Sequence, residues 1–312
     1  MPKNLLSMSA TAMLMGGAAL AEAPAVAVDI APVHSLVARV MDGVGTPELI
    51  VQPGASPHEY SLRPSEAASL QDADIVFWMG EDLTPWMEDA ISTLAVNATV
   101  TNFLEVNGTK LLDIREDALF EAHDEDADDH ENEGAMAEDH DHGDHDPHAW
   151  LSVENASAWL NAIAAQLSAA DPDNAEVYSA NAAAARAEMD ALAVEVNATL
   201  EPVRGGSFVV FHDAYQYFES DFEFPAAGAI SLGDASDPSP VRIAEVQARI
   251  RDEGINCVLS EPQFNRGLVA TVLDGATAGG GVIDPLGADL KPGATLYPQL
   301  IRNMAKTLAE CL

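Results

Sequence analysis

A long alanine-rich segment divides this chain of 312 residues into two halves of similar character. Helix-forming residues run through 152–170 and again through 174–203, with Asp171-Pro172-Asp173 between the two runs. Because proline is favoured in the first turn of a helix, Pro172 indicates where the second helix starts. If residues 174–203 form one helix, it measures roughly 45 Å at 1.5 Å per residue. A rod of that length exceeds what one small sheet needs, which predicts a stiff connector between two α/β halves.

On both sides of the alanine-rich segment, short apolar stretches alternate with helical patterns. We predict strands at residues 26–30, 49–51, 75–79, 207–211, 226–231, 256–260 and 281–283. We predict helices at residues 32–41, 64–70, 85–94, 240–252, 268–276 and 297–310. Such alternation is typical of βαβ units around a mostly parallel sheet. The expected division is an N-terminal lobe at 22–170, a connecting helix at 171–203 and a C-terminal lobe at 204–312.

The first 21 residues have the pattern of a signal peptide. One basic residue, Lys3, precedes a mostly apolar stretch at 5–20, and Ala19-Leu20-Ala21 has the small-x-small pattern of a cleavage site. The stretch is too short for a retained membrane span, and no later apolar run approaches twenty residues. We therefore expect a soluble periplasmic protein whose mature chain starts near Glu22.

The chain carries a formal net charge of −37, which narrows its partners. Nucleic acids and anionic membrane surfaces would be repelled, whereas divalent cations would be attracted. A saline habitat is another explanation of such acidity, and the sequence leaves both open. We expect no nucleic-acid partner.

One stretch of the sequence is exceptionally acidic and rich in histidine. Residues 116–146 contain fifteen Asp or Glu and no Lys or Arg, so this segment cannot bury a core and predicts a disordered surface loop. A solvated acidic linker would be the plain interpretation, but interleaved histidines favour loose metal binding. The expected auxiliary metal residues are His123, His130, His140, His142 and His145.

Three other histidines lie at or just after the ends of predicted strands or loops, namely His58, His148 and His212. Ligands of parallel α/β proteins bind beyond the carboxyl ends of strands, so these side chains can converge. Each alone is more often structural, and we expect His34 to be either structural or a support behind a ligand. Three imidazoles with the carboxylate of Asp284, however, would form a tetrahedral zinc site.

The two cysteines, Cys257 and Cys311, are expected to form a disulfide. A lone pair of cysteines in an oxidising compartment is usually bridged, and neither residue has the CxxC partner of a zinc site.

Several stretches resemble the solute-binding proteins of ABC transporters that import zinc, the ZnuA type of the cluster A-I metal-binding family. They are GASPHEYSLRPSEAASLQDADIVFWMG, DPHAW, FHDAYQYF, SEPQF and GGGVIDPLG, in order across the mature chain. The resemblance implies two Rossmann-like lobes joined by one long helix, with the metal between them. It implies a monomer that contacts a membrane permease.

Matched position by position, the resemblance makes His58, His148 and His212 the metal ligands. Asp284 falls where relatives place a carboxylate, while Glu59 competes for the fourth position. A histidine at 212, where manganese- and iron-binding relatives typically have Glu, favours Zn²⁺. The resemblance also implies the Cys257–Cys311 bridge.

Two other functions compete with zinc transport. Three ligands with an open position also describe a zinc-dependent metallohydrolase, but the sequence has no HExxH motif, and only Glu59 offers a general base. A metal-buffering or adhesin-like protein would use the histidine-rich loop as its functional part. We expect a binding protein and not an enzyme.

Overall fold

A computed structural model describes residues 23–115, 120, 145–231, 238–264, 266–274 and 277–312. The predicted signal peptide and most of the histidine-rich segment lie outside these residues. Within them, two four-stranded parallel sheets flank a central helical layer, as the α/β prediction requires. No helix in the described residues is both long and apolar enough to cross a membrane.

The N-terminal half alternates strands and helices along its whole length. Its elements are β1 Val26–Val28, α1 Ala31–Val40, β2 Glu48–Leu49, α2 Pro64–Asp72, β3 Ile75–Trp78, α3 Pro85–Leu94 and β4 Thr99–Asn102. The strand order is β2-β1-β3-β4, with every neighbouring pair parallel. The fully buried β1 and β3 have the apolar composition expected of central parallel strands.

Two helices form the middle of the molecule, α4 Val153–Ala170 and α5 Ala175–Leu200. A single turn at Pro172–Asn174 separates them, so α5 spans about 39 Å and is shorter than predicted. Its buried side chains recur every three or four residues, which makes one continuous apolar stripe. The stripe consists of Tyr178, Ala182, Ala185, Met189, Leu192, Val196 and Leu200.

The C-terminal half repeats the arrangement of the first. Its elements are β5 Phe208–His212, α6 Gln216–Phe222, β6 Gly228–Ser231, α7 Pro240–Asp252, β7 Cys257–Ser260, α8 Arg266–Leu273, β8 Gly279–Val282 and α9 Leu296–Cys311. The order β6-β5-β7-β8 is the same permutation seen in the first sheet. Ser239 caps α7 by accepting a hydrogen bond from the Arg242 amide.

The long helix α5 packs against α4, against α1 of the first half and against α9 of the second. Ion pairs reinforce both sides, from Arg39 to Glu188 at 2.7 Å and from Arg302 to Glu195 at 2.9 Å. The two halves also touch directly, because the Tyr297 amide donates to Ser35 Oγ. One cluster of buried apolar side chains runs through both halves and α5.

The predicted disulfide is present between the first residue of β7 and the last residue of α9. The Cα atoms of Cys257 and Cys311 are 5.6 Å apart, within the usual range for a bridge. The neighbouring strand β8 is glycine-rich, and side chains of β7 and α9 lie close to it. A Cβ atom on Gly281 would come within 2.8 Å of the Leu259 side chain and 3.3 Å of the Thr307 side chain.

Candidate metal centre

Three histidines from three separate segments meet between the two halves. His58 lies on the loop that follows β2, His148 lies just before α4, and His212 is the last residue of β5. One nitrogen of each ring lies within 4.8 Å of the corresponding nitrogens of the other two. His148 and His212 are buried, whereas His58 is half-buried. Of the described residues, these alone form such a group.

The spacing of the two buried rings suits a tetrahedral metal ion. The Nε2 atoms of His148 and His212 are 3.3 Å apart. Two nitrogens bound at about 2.0–2.1 Å to one tetrahedral zinc ion would lie about 3.3 Å from each other. The side chains therefore have the separation that shared coordination requires.

A carboxylate orients each of these two rings from behind. His148 Nδ1 lies 2.7 Å from Asp146 Oδ1, and His212 Nδ1 lies 2.7 Å from Glu261 Oε1. A proton on each Nδ1 is favoured by these partners, and in that tautomer both Nε2 lone pairs can be given to one cation. A cation between them would replace the 3.3 Å contact, a hydrogen bond when one ring carries its proton on Nε2, with two coordinate bonds.

The surroundings of the cluster contain buried acidic side chains. Burial raises the pKa of Asp146 to about 7, and the nearby Arg115 opposes that rise. Burial likewise raises the pKa of Asp213 to about 7, again against the effect of Arg115. Carboxylates in such a place are costly to ionise, so a dication would stabilise their charged form.

The two candidate fourth ligands lie outside the three-histidine group. Both oxygens of Asp284 accept backbone N–H bonds from the following turn, at 3.0 Å from Leu286 and Gly287 and 2.6 Å from Ala288. Glu59 points to an exposed position beside His58. The identity of a fourth ligand stays a prediction.

The remaining histidines occupy varied places. His34 is buried in α1 with its Nε2 3.0 Å from the Pro47 carbonyl, which agrees with a structural role. His145 pairs with Asp113 at 3.2 Å, at the edge of the described residues. His123, His130, His140 and His142 lie outside the part of the chain that the structure describes.

Sequence reasoning missed Glu261 and Arg115 as parts of this centre. Glu261 directly follows β7, so the strand-end rule that selected His212 applied equally to it. Arg115 is the last basic residue before the fifteen acidic residues of 116–146. Its position could have indicated that it pairs with carboxylates.

Comparisons with known proteins agree with the geometry. The profile of the family described as "Zinc-uptake complex component A periplasmic" matches residues 26–311. The chain is 44% identical to the high-affinity zinc uptake system protein ZnuA of Brucella abortus (strain 2308), with 99% of each chain covered. It is 43% identical to the protein of the same name from Paracoccus denitrificans (strain Pd 1222), with 96% of each covered.

Solved structures show the same fold at lower identity. A crystal structure of ZnuA superposes with a TM-score of 0.74 at 22% identity, covering 92% of this chain and 98% of that one. The periplasmic zinc-binding protein TroA of Treponema pallidum gives 0.74 at 19% identity, with the same coverage. Sequence, fold and clustered histidines together lead to one conclusion: the chain belongs to the family of periplasmic A components of zinc-uptake complexes.

Proposed function

We propose that this protein captures Zn²⁺ in the periplasm and delivers it to the membrane permease of an ABC-type importer. The observation that carries the proposal is the cluster of His58, His148 and His212, drawn from both halves of a chain in the zinc-uptake family. Their neutral imidazoles suit Zn²⁺ better than Mn²⁺, which prefers oxygen ligands. The signal peptide at 1–21, release as a soluble monomer and the lobe boundaries at 170 and 203 belong to the same proposal.

The ligand set that we propose is His58, His148 and His212, with the fourth position taken by water or a carboxylate. Asp146 and Glu261 support this set because each holds a ring nitrogen that faces away from the cluster. Metal binding in this form needs neutral imidazoles.

Calorimetry with Zn²⁺ and Mn²⁺ on the mature protein tests the proposal. We expect one tight Zn²⁺ equivalent, much weaker Mn²⁺ binding, and at least a tenfold loss, about 1.4 kcal/mol, for each of His58→Ala, His148→Ala and His212→Ala. His34→Ala is the matched control, since that histidine is buried away from the cluster. Three ligand variants that bind zinc as tightly as the wild type would refute the assignment.

The alternatives have less support. The family is a binding component of an uptake complex, which argues against a metallohydrolase. A laminin-binding adhesin of Streptococcus agalactiae shares the fold with a TM-score of 0.74, but at 21% identity this likeness concerns the fold only.

A further inference from the structure

The segment before the histidine-rich insertion leaves the N-terminal half and lies on α6 of the C-terminal half. Lys110 Nζ donates to Ser220 Oγ at 2.8 Å and lies 3.6 Å from Asp221 Oδ1. The Leu112 amide donates to Tyr217 Oη at 3.0 Å. Five residues after Lys110, Arg115 makes a second set of ionic contacts with the same helix and the residues just before it.

Arg115 joins two buried carboxylates. Its Nη2 donates to Glu219 Oε2 at 2.7 Å, and its Nη1 donates to Asp213 Oδ1 at 3.2 Å. Both carboxylate side chains are at least nine-tenths buried. The Phe120 ring covers the guanidinium, with Cζ 3.9 Å from the ring centroid. A guanidinium group that is hydrogen-bonded through both Nη atoms and covered on one face by an aromatic ring has little freedom to move.

Asp213 connects this contact to the histidine cluster through the backbone. It directly follows His212, and the Ala214 amide donates to the His212 carbonyl at 3.0 Å, so the chain turns tightly at this point. Moving the Asp213 side chain would therefore move the backbone that carries the His212 ring. Glu219, which binds Arg115 Nη2, is itself fixed in place because it also accepts a hydrogen bond from the Ala226 amide at 3.1 Å.

We propose that Arg115 is a positioning residue of the zinc site, which it serves by holding Asp213 and, through it, the strand end that carries His212. This inference rests on the proposed function, since it concerns how firmly that site retains its cargo. Arg115 binds no metal itself. It sets the lifetime of the bound ion by restricting one of the three ligands.

The contrast between Arg115 and Lys110 makes the proposal testable. Both residues tie the same segment to the same region of the second half, but only Arg115 leads to a residue next to a ligand. Lysine in place of Arg115 keeps the charge and loses the two-pronged geometry. Asp213→Asn keeps the shape at the other end of the contact and removes its charge.

The experiment uses the full mature chain and four variants, Arg115→Lys, Asp213→Asn, the double variant, and Lys110→Met as matched control. Zinc release to a chromogenic chelator is timed by stopped flow. The d–d absorption of the Co²⁺-loaded protein reports ligand geometry, and thermal unfolding of the metal-free protein reports stability alone.

Arg115→Lys and Asp213→Asn should each speed zinc release by about tenfold and alter the Co²⁺ bands. The double variant should release zinc no faster than Arg115→Lys alone, because that change already breaks the contact with Asp213 as well as the one with Glu219. Lys110→Met should match the wild type in both readouts. If Arg115→Lys does not fold, Asp213→Asn decides the matter alone.

Three results would overturn the inference. The folded variants could release zinc at the wild-type rate and show the wild-type Co²⁺ spectrum, the two single effects could add up in the double variant, or Lys110→Met could change both readouts as much as Arg115→Lys does. The last result would show that any contact between this segment and the C-terminal half affects the site, and that Arg115 has no specific part in it. A wild-type protein that retains no zinc would instead refute the proposed function, and this inference with it.

Discussion

At the scale of single residues, the direction in which a ring nitrogen points decides whether clustered histidines can hold a metal. Asp146 and Glu261 lie behind His148 and His212, both deeply buried, at 2.7 Å from the Nδ1 atoms. A carboxylate in this position fixes the tautomer and raises the basicity of the opposite nitrogen. The preorganised rings lose little freedom on binding.

Glu261→Gln should weaken zinc binding by about tenfold, because an amide orients the His212 ring without its negative charge. Competition with a chelator of known affinity measures the change. Glu188→Gln, at an exposed ion pair on α5, is the control. Equal affinities of wild type and Glu261→Gln would show that the carboxylate has no part in the site.

Asp29 makes the stability of the metal-free protein depend on pH. Burial raises the pKa of this carboxyl from 3.8 to about 7, against the opposing effect of amide donors that include Met79. The folded state thus binds the proton more tightly than the unfolded state. Its contribution to stability is complete below pH 3.8 and disappears as the pH rises through about 7.

Urea unfolding of the wild type and Asp29→Asn at several pH values tests this dependence. From pH 8 to pH 5.5, the difference in unfolding free energy between the two should shift in favour of the wild type by about 2 kcal/mol, because the pH falls about 1.5 units below the folded pKa and one unit corresponds to about 1.4 kcal/mol. His34, whose pKa burial lowers, is present in both proteins and cancels. Parallel stability curves would contradict the assignment.

The placement of single residues could be predicted only in part. The strand-end rule placed His212 in the cluster, but it could not tell that the oxygens of Asp284 also accept amides of the following turn. Whether a carboxylate at a strand end binds the backbone of the next turn depends on backbone geometry that residue types do not specify, so Asp284 as fourth ligand stays a prediction.

At the scale of elements, the apolar strands and the long helices were predicted, whereas the edge strand β4 and the short helix α6 were not. The buried strands β3 and β5 can be recognised in the sequence by their runs of apolar residues. The edge strand β4 reads TVTN and is largely exposed, so it shows neither alternation nor an apolar run. The seven-residue α6 is also too short for a helical period to stand out.

The disulfide joins a strand to the closing helix and should stabilise the C-terminal half. Cys257 and Cys311 are 54 residues apart, and a closed loop of that size corresponds to about 4 kcal/mol in the chain-entropy model. The double variant Cys257→Ser, Cys311→Ser should therefore unfold at lower denaturant concentration, with zinc stoichiometry unchanged. A wild type equally stable with and without reductant would refute this prediction.

At the scale of the whole molecule, the two sheets share one strand order, and the histidine cluster at their boundary contains side chains from both halves. The histidine-rich insertion begins and ends at this boundary, between Arg115 and His145. We predict that it is an auxiliary collector, whose negative charge raises the local cation concentration and speeds capture.

Deletion of residues 122–144 should leave one tight zinc equivalent, remove weaker ones and slow association, with the largest slowing at low ionic strength. Calorimetry and stopped-flow binding on the full and shortened chains measure the three effects. Loss of the tight equivalent, with His148 retained and circular dichroism unchanged, would move the primary site into the insertion.

The origin of the three histidines has a consequence for the lifetime of the protein. An ion bound by the proposed ligands His58, His148 and His212 would link the two halves, so any separation of the halves would first require its release. Bound ligand lowers the population of opened states by mass action, and proteases cleave those states. We therefore expect a longer half-life under protease for the zinc-loaded form than for the empty one. Equal half-lives of the zinc-loaded and the empty protein would show that bound zinc does not hold the halves together. A longer half-life of the loaded form would mean that zinc supply also governs how long each protein molecule survives.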